Sequence, residues 1–118
     1  MQVDVERWKL LWTRRHDDLL ARLEQDLRCE LPGAYADRVR LKLELQGLGE
    51  ATFLARGTLR GFGDILAVRT GSPLDDVLTE LFAALIAEVR VERRRLERRT
   101  VLQSGSFIAI PRPVAVNE

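Results

Sequence analysis

Cysteine occurs once in these 118 residues, histidine once and lysine twice. A lone Cys29 excludes a disulfide within the chain and any cysteine-based metal site, and it favours a reducing compartment. His16 is the sole histidine, and the chain shows no metal-ligand spacing. Long apolar runs are missing too: nothing approaches the ~20 residues that a membrane span needs. The opening MQVDVERWK is charged from its fourth residue, unlike a signal peptide. A cytoplasmic protein without a membrane partner is expected. Net charge is also nearly absent, at +1, so a nucleic-acid site would have to arise from local clustering of charge.

What the chain does have is arginine. Only Lys9 and Lys42 are lysines among 19 basic residues, a bias that GC-rich coding accounts for as readily as function does. Hydrophobic residues make up 46% and charged residues 31%, the composition of one globular domain with a modest core.

Periodicity gives the order of elements. Val3 and Val5 alternate with Gln2, Asp4 and Glu6, and Trp8, Leu10 and Trp12 continue a period of two less clearly; a first strand is predicted. Thr13 is a helix cap. His16, Leu19, Leu20, Leu23 and Leu27 follow at steps of three and four, one apolar stripe on a helix from about 14 to 30, ended by Leu31-Pro32-Gly33. VRLKLELQ then alternates, with Val39, Leu41, Leu43 and Leu45 on one face, as half-buried antiparallel strands do. Gly47-Leu48-Gly49 reads as a turn, residues 51–60 as a strand weakened or bulged at Gly57, Gly61-Phe62-Gly63-Asp64 as a second turn and ILAVRT as a fourth strand. Ser72 is the expected N-cap of a second helix, with Pro73 at its first position and Asp75 and Asp76 at the positive end of its dipole. Its stripe runs Leu74, Val77, Leu78, Leu81, Phe82, Leu85, Ile86 and Val89.

The predicted fold is therefore α+β, ordered β-α-β-β-β-α, a four-stranded sheet with two helices packed on one face. Residues 1–100 form the domain. Residues 101–118, with Pro111 and Pro113 and no helical period, are expected to be an extended tail, with a short strand-like stretch at 107–110.

Enzyme chemistry finds little support. His16 lies on the apolar stripe, where packing or capping explains it. The pairs Asp17-Asp18 and Asp75-Asp76 lie in first helical turns, where the dipole explains them. Gly57, Gly61 and Gly63 mimic a phosphate loop, but they lie between strands and no helix begins there. Neither an enzyme, nor a cofactor, metal or small-molecule substrate, is expected.

The second helix ends in VRVERRRLERRT, residues 89–100. A helix reaching Arg99 would span about 40 Å, against roughly 20 Å for short strands. The stripe lapses at Glu92 and Arg93 and resumes only at Leu96, so these arginines are expected on a segment that has left the core. Arg90, Arg94 and Arg98 stand four apart, as do Arg95 and Arg99, and each like-charge pair costs roughly 0.2–0.5 kcal/mol in an isolated helix. A solvated helix end at the negative dipole terminus accounts for Arg98 and Arg99. It accounts poorly for Arg90 and Arg94, whereas phosphate contacts would relieve the repulsion and use arginine's bidentate geometry. Trp8 and Trp12 are candidates for base stacking, with core packing the expected use of at least one, and Arg40 and Lys42 lie on the sheet face away from the apolar side.

This order of elements resembles the hibernation-promoting factor and ribosome-associated inhibitor family over residues 1 to about 99. MQVDV is similar to that family's opening strand, LLARLEQDL to its amphipathic first helix, and SPLDDVLTELFAALIAEVRVERRRLERR to its second helix with a basic end. ERWKLLW replaces the glycine-plus-basic pattern common after the opening strand, so the likeness is to a divergent short form. The resemblance implies a fold like that of double-stranded-RNA-binding domains and binding to 16S rRNA in the mRNA–tRNA channel of the small ribosomal subunit, with translation blocked. It implies contacts from the basic faces of both helices. The candidate RNA-binding residues are thus Arg15, Arg22, Arg90, Arg94, Arg95 and Arg98, on a chain expected to be monomeric. Another RNA-binding α+β domain, or a module docking an acidic protein, fits the same residues.

Overall fold

A computed structural model describes residues 1–108, with side chains to residue 99. Its elements are β1 (Gln2–Trp8), α1 (Arg14–Glu30), α2 (Gly33–Ala36), β2 (Arg40–Gly49), β3 (Thr52–Arg60), β4 (Asp64–Gly71) and α3 (Leu74–Ile108). The strands form one mixed sheet in the order β1-β2-β3-β4, with β1 parallel to β2 and the other pairs antiparallel. The α+β class and the four strands are as the sequence implies. The helices number three among the described residues, because GAYA, expected only as part of the exit from α1, makes one extra turn.

Alternation decides which side of the sheet is covered. Leu41, Leu43 and Leu45 of β2, Ala55 and Leu59 of β3, and Ile65 and Ala67 of β4 are buried. Against them lie Leu20, Leu23 and Leu27 of α1 and the α3 stripe Leu74, Val77, Leu78, Leu81, Phe82, Leu85 and Val89. Both long helices thus cover one face, and the other face is open to solvent.

Three local expectations are corrected. The turn between β2 and β3 is not at residues 47–49: β2 runs to Gly49, its register shifts between Gly47 and Gly49, and Glu50 and Ala51 make the reversal. Gly47 is needed inside the strand because a Cβ there would lie 2.0 Å from the Lys9 carbonyl oxygen, where the chain crosses after β1. Gly57 carries no bulge, since the β3 pairing is unbroken through it. Its bare backbone admits the Leu85 side chain, whose Cδ1 would lie 3.0 Å from an added Cβ. Finally, α3 begins at Leu74 and its opening acceptor is the Pro73 carbonyl, which takes the Asp76 and Val77 amides at 3.1 and 3.2 Å, so Ser72 is not the cap.

The two long helices run parallel, fastened at both ends of α1. At its start, the Thr13 amide donates to Nδ1 of His16 at 3.1 Å, which leaves the ring proton on Nε2, 3.1 Å from Oδ1 of Asp75. His16 is therefore the capping residue expected from its position, and it also ties α1 to the first turn of α3. At the other end Glu30 meets Arg90. Asp17, Asp18, Asp75 and Asp76 consequently gather where both helices begin, beside Arg14 and Arg15.

The helix α3 does not stop at Arg99 but continues to Ile108. The Ser104-Gly105-Ser106 stretch weakens a helix without forbidding one, and no proline intervenes before Pro111. Residues 101–108 are thus helical rather than extended, and the rest of the expected tail lies outside the described residues. At ~1.5 Å per residue α3 is about 52 Å long, which gives the molecule its 65 × 25 × 16 Å extents.

Candidate nucleic-acid interface

The arginine run divides into two parts. Arg90 and Arg93 lie where α3 is still docked. Arg90 grips the Glu30 carboxylate with both arms of its fork, Nε and Nη2 each donating at 3.0 Å. Arg93 donates to the Glu30 carbonyl oxygen at 3.0 Å, satisfying an acceptor left over at the end of α1. The hydrogen bonds from Arg90 hold the Glu30 carboxyl below its ordinary value, and the same contact raises Arg90. Glu92 lies over the β3–β4 turn, where a Cβ on Gly63 would meet its Cδ at 3.1 Å, and Leu96 packs against the core. The lapse of the stripe at Glu92 and Arg93 is therefore not the point where the helix leaves the fold. Long side chains replace apolar ones there because they reach the end of α1 and the turn.

Beyond that segment the charge is unmatched. Arg94, Arg98 and Arg99 are exposed, and none has an ion-pair partner among the described residues. Arg95 pairs with Glu92 at 3.2 Å. Arg94 and Arg98 keep their mutual repulsion, which the fold does nothing to offset.

The remaining candidates are spread out. Arg15 sits at the opposite end of α1, 3.4 Å from Asp75, about 28 Å from Arg94 along α3. Arg22 is exposed midway along α1 with no ion pair among the described residues. The six residues therefore do not form one continuous patch: Arg94, Arg95 and Arg98 stand together, Arg90 is committed to Glu30, and Arg15 and Arg22 are separate. Trp12 is taken by the fold, stacked near His16 at 5.1 Å with Arg7 5.0 Å from its ring centre. Trp8 remains 45% exposed on the open sheet face.

That face holds a cluster that sequence reasoning did not assemble. Arg40 stands directly opposite Arg60 across β2 and β3. Alternation put Arg40 on this face; only the true position of the turn brings Arg60 beside it. Among the described residues no group of three or more histidine, cysteine, aspartate or glutamate side chains is placed to hold a metal, and no helix is long and apolar enough to cross a membrane.

This backbone has solved counterparts. The chain is similar to the Thermus thermophilus Protein Y N-terminal domain, with a TM-score of 0.62 and 15% identity over 75% of this chain and 96% of that one. It is equally similar to a ribosomal subunit interface protein from Coxiella burnetii, with a TM-score of 0.61 and 11% identity over 80% and 99% of the two chains. No protein-family model matches the sequence, and no curated protein matches it. At these identities the likeness is one of fold, extending over nearly the whole of both counterparts, and it carries no arginine from one chain to the other.

Proposed function

We propose that this protein is a ribosome-binding hibernation factor that docks on 16S rRNA of the small subunit, in the channel used by mRNA and tRNA, and keeps idle ribosomes from translating. The observation that carries the reading is the unmatched arginine of α3. Arg94, Arg98 and Arg99 are exposed, mutually repelling and without an ion pair among the described residues, on a helix that outruns its sheet. A polyanion relieves that repulsion, and guanidinium forks suit phosphates. One counterpart of the fold is described as a ribosomal subunit interface protein, which makes a ribosomal RNA surface the polyanion of choice. Such a protein acts in the cytoplasm, without catalysis, cofactor or small-molecule substrate.

The test is co-sedimentation with small ribosomal subunits at several salt concentrations. Wild type is expected to bind, with affinity falling as salt rises. Arg94→Gln with Arg98→Gln should leave the melting temperature unchanged or slightly raised and flatten the dependence of log affinity on log salt by about 1.4–1.8, at ~0.7–0.9 per phosphate contact. Equal affinity and slope for the two proteins would remove α3 from the interface. Binding to bare structured RNA but not to subunits would replace the ribosome with another RNA, and salt-insensitive capture of an acidic protein would replace RNA altogether.

A further inference from the structure

The open face of the sheet carries a feature that costs stability and serves no contact in the fold. The first row across the four strands is Gln2, Arg40, Arg60 and Asp64. Like charges directly opposite each other destabilise an antiparallel pair. Arg40 and Arg60 are both exposed, and neither has an ion-pair or hydrogen-bond partner among the described residues. They line a depression of about 410 Å³ whose floor also presents Lys42, Arg56 and the Thr58 hydroxyl. Lys42 and Arg56 are held only loosely, 3.6 Å from Glu6 and 3.8 Å from Glu44, in exposed pairs that contribute little and exchange readily. Two carboxylates line it as well, Asp4 on the β1 side and Glu44 beside Arg56, against four basic side chains. No exposed apolar side chain lines it, so it offers a peptide no anchor, whereas guanidinium forks and a hydroxyl are phosphate donors.

We propose that the Arg40–Arg60 row is a phosphate-binding site for a nucleic-acid strand, distinct from the arginines of α3. The row lies at the end of the sheet where β2 begins and β3 ends, and the β3–β4 turn that follows Arg60 is the turn covered by Glu92. One sheet layer therefore separates the two arginine groups, and the protein grips RNA on both sides of the same end. The inference rests on the reading of a polyanionic partner and extends it to a surface that faces away from both long helices.

The experiment uses the full chain with a labelled uridine oligonucleotide and, separately, small ribosomal subunits. Three proteins are compared with wild type: Arg40→Gln with Arg60→Gln, Arg60→Glu, and Arg94→Gln with Arg98→Gln. The sheet double variant should flatten the salt dependence by about 1.4–1.8 log units without lowering the melting temperature. Arg60→Glu gains an opposite charge across from Arg40 but sets a like charge across from Asp64, so it should melt close to wild type and yet bind more weakly. That combination is the signature of a binding residue, because a structural one would move both quantities together. Wild-type affinity and slope for the sheet variants would overturn the second site, as would a fall in melting temperature that tracks the loss of binding, or equal protection by inorganic phosphate alone at the same phosphate concentration. If only the α3 variant loses subunit binding, the ribosomal reading stands and the second site falls. If only the sheet variants lose oligonucleotide binding and no protein sediments with subunits, the second site stands and the ribosomal reading falls.

Discussion

Glu50 and Ala51 reverse the chain between β2 and β3 with φ of 52° and 60°, a left-handed conformation that favours glycine or asparagine and costs other residues of order 1 kcal/mol each. Ala51→Gly should therefore stabilise the fold slightly, by up to about 0.5 kcal/mol once the extra unfolded-state entropy of glycine is deducted, as read from urea melts; a clear loss would mean the turn is not of this type. Gly47 is the reverse case. Its neighbour is a backbone carbonyl that cannot swing aside, so Gly47→Ala should cost more than about 2 kcal/mol in the same measurement. The Glu30 carboxylate has its own signature. Its folded value is depressed, so its contribution is complete above the ordinary glutamate value of 4.5 and is lost as pH falls through the lower folded value. Burial raises Glu24, chiefly by desolvation, so Glu24 acts with the opposite sign: its contribution is present in acid and lost as pH rises through its raised value. Melting temperatures across pH 7 to ~3 should fall on the acid side, and Glu30→Gln should flatten that fall. An unchanged acid limb in the variant would mean that the Arg90 contact does not bear on stability.

At the scale of elements, α3 unites core and interface. Phe82 is fully buried in its centre, and Phe82→Ala should cost about 3–5 kcal/mol; a loss below ~1 kcal/mol in urea would contradict the packing of α3 on the sheet. Much of this was legible in the sequence. The bounds of α1, the α3 stripe and the covered face of β2 follow from local periodicity, because a side chain's facing depends on its neighbours three, four or two residues away. What was not legible depended on distance or on atypical chemistry. Arg90 and Glu30 lie 60 residues apart, and nothing local says that a helix-end carboxylate waits for that arginine. The Glu50-Ala51 turn carries neither glycine nor asparagine, whereas Gly47-Leu48-Gly49 looks like a turn. Reading the reversal there slips the β2–β3 register and hides the Arg40–Arg60 pair. Gly57 looked like a weak point because the Leu85 it accommodates belongs to another element.

At the scale of the whole molecule, among the residues whose side chains are described, the buried core ends at Val89 and its last partly buried apolar contact is Leu96. A chain ending at Thr100 is expected to melt within a few degrees of the full one by circular dichroism; failure to fold would place the remaining residues inside the domain. Because α1 and α3 lie parallel, the aspartates of both first turns share one end of the protein and the unmatched arginines of α3 occupy the other. A chain with a net charge of only +1 is thus a charge dipole drawn along a 65 Å axis. In the field of a polyanion such a body feels torque before it feels net attraction, and it turns its arginine end forward during diffusion. Steering of this kind speeds productive encounters and fades as the Debye length shrinks from about 30 Å at 0.01 M salt to about 8 Å at 0.15 M. The association rate in stopped flow should accordingly fall with salt far more steeply than one excess positive charge would allow, and Asp17→Asn with Asp18→Asn, far from any proposed contact, raises the net charge from +1 to +3 and should speed it at low salt while leaving the dissociation rate alone.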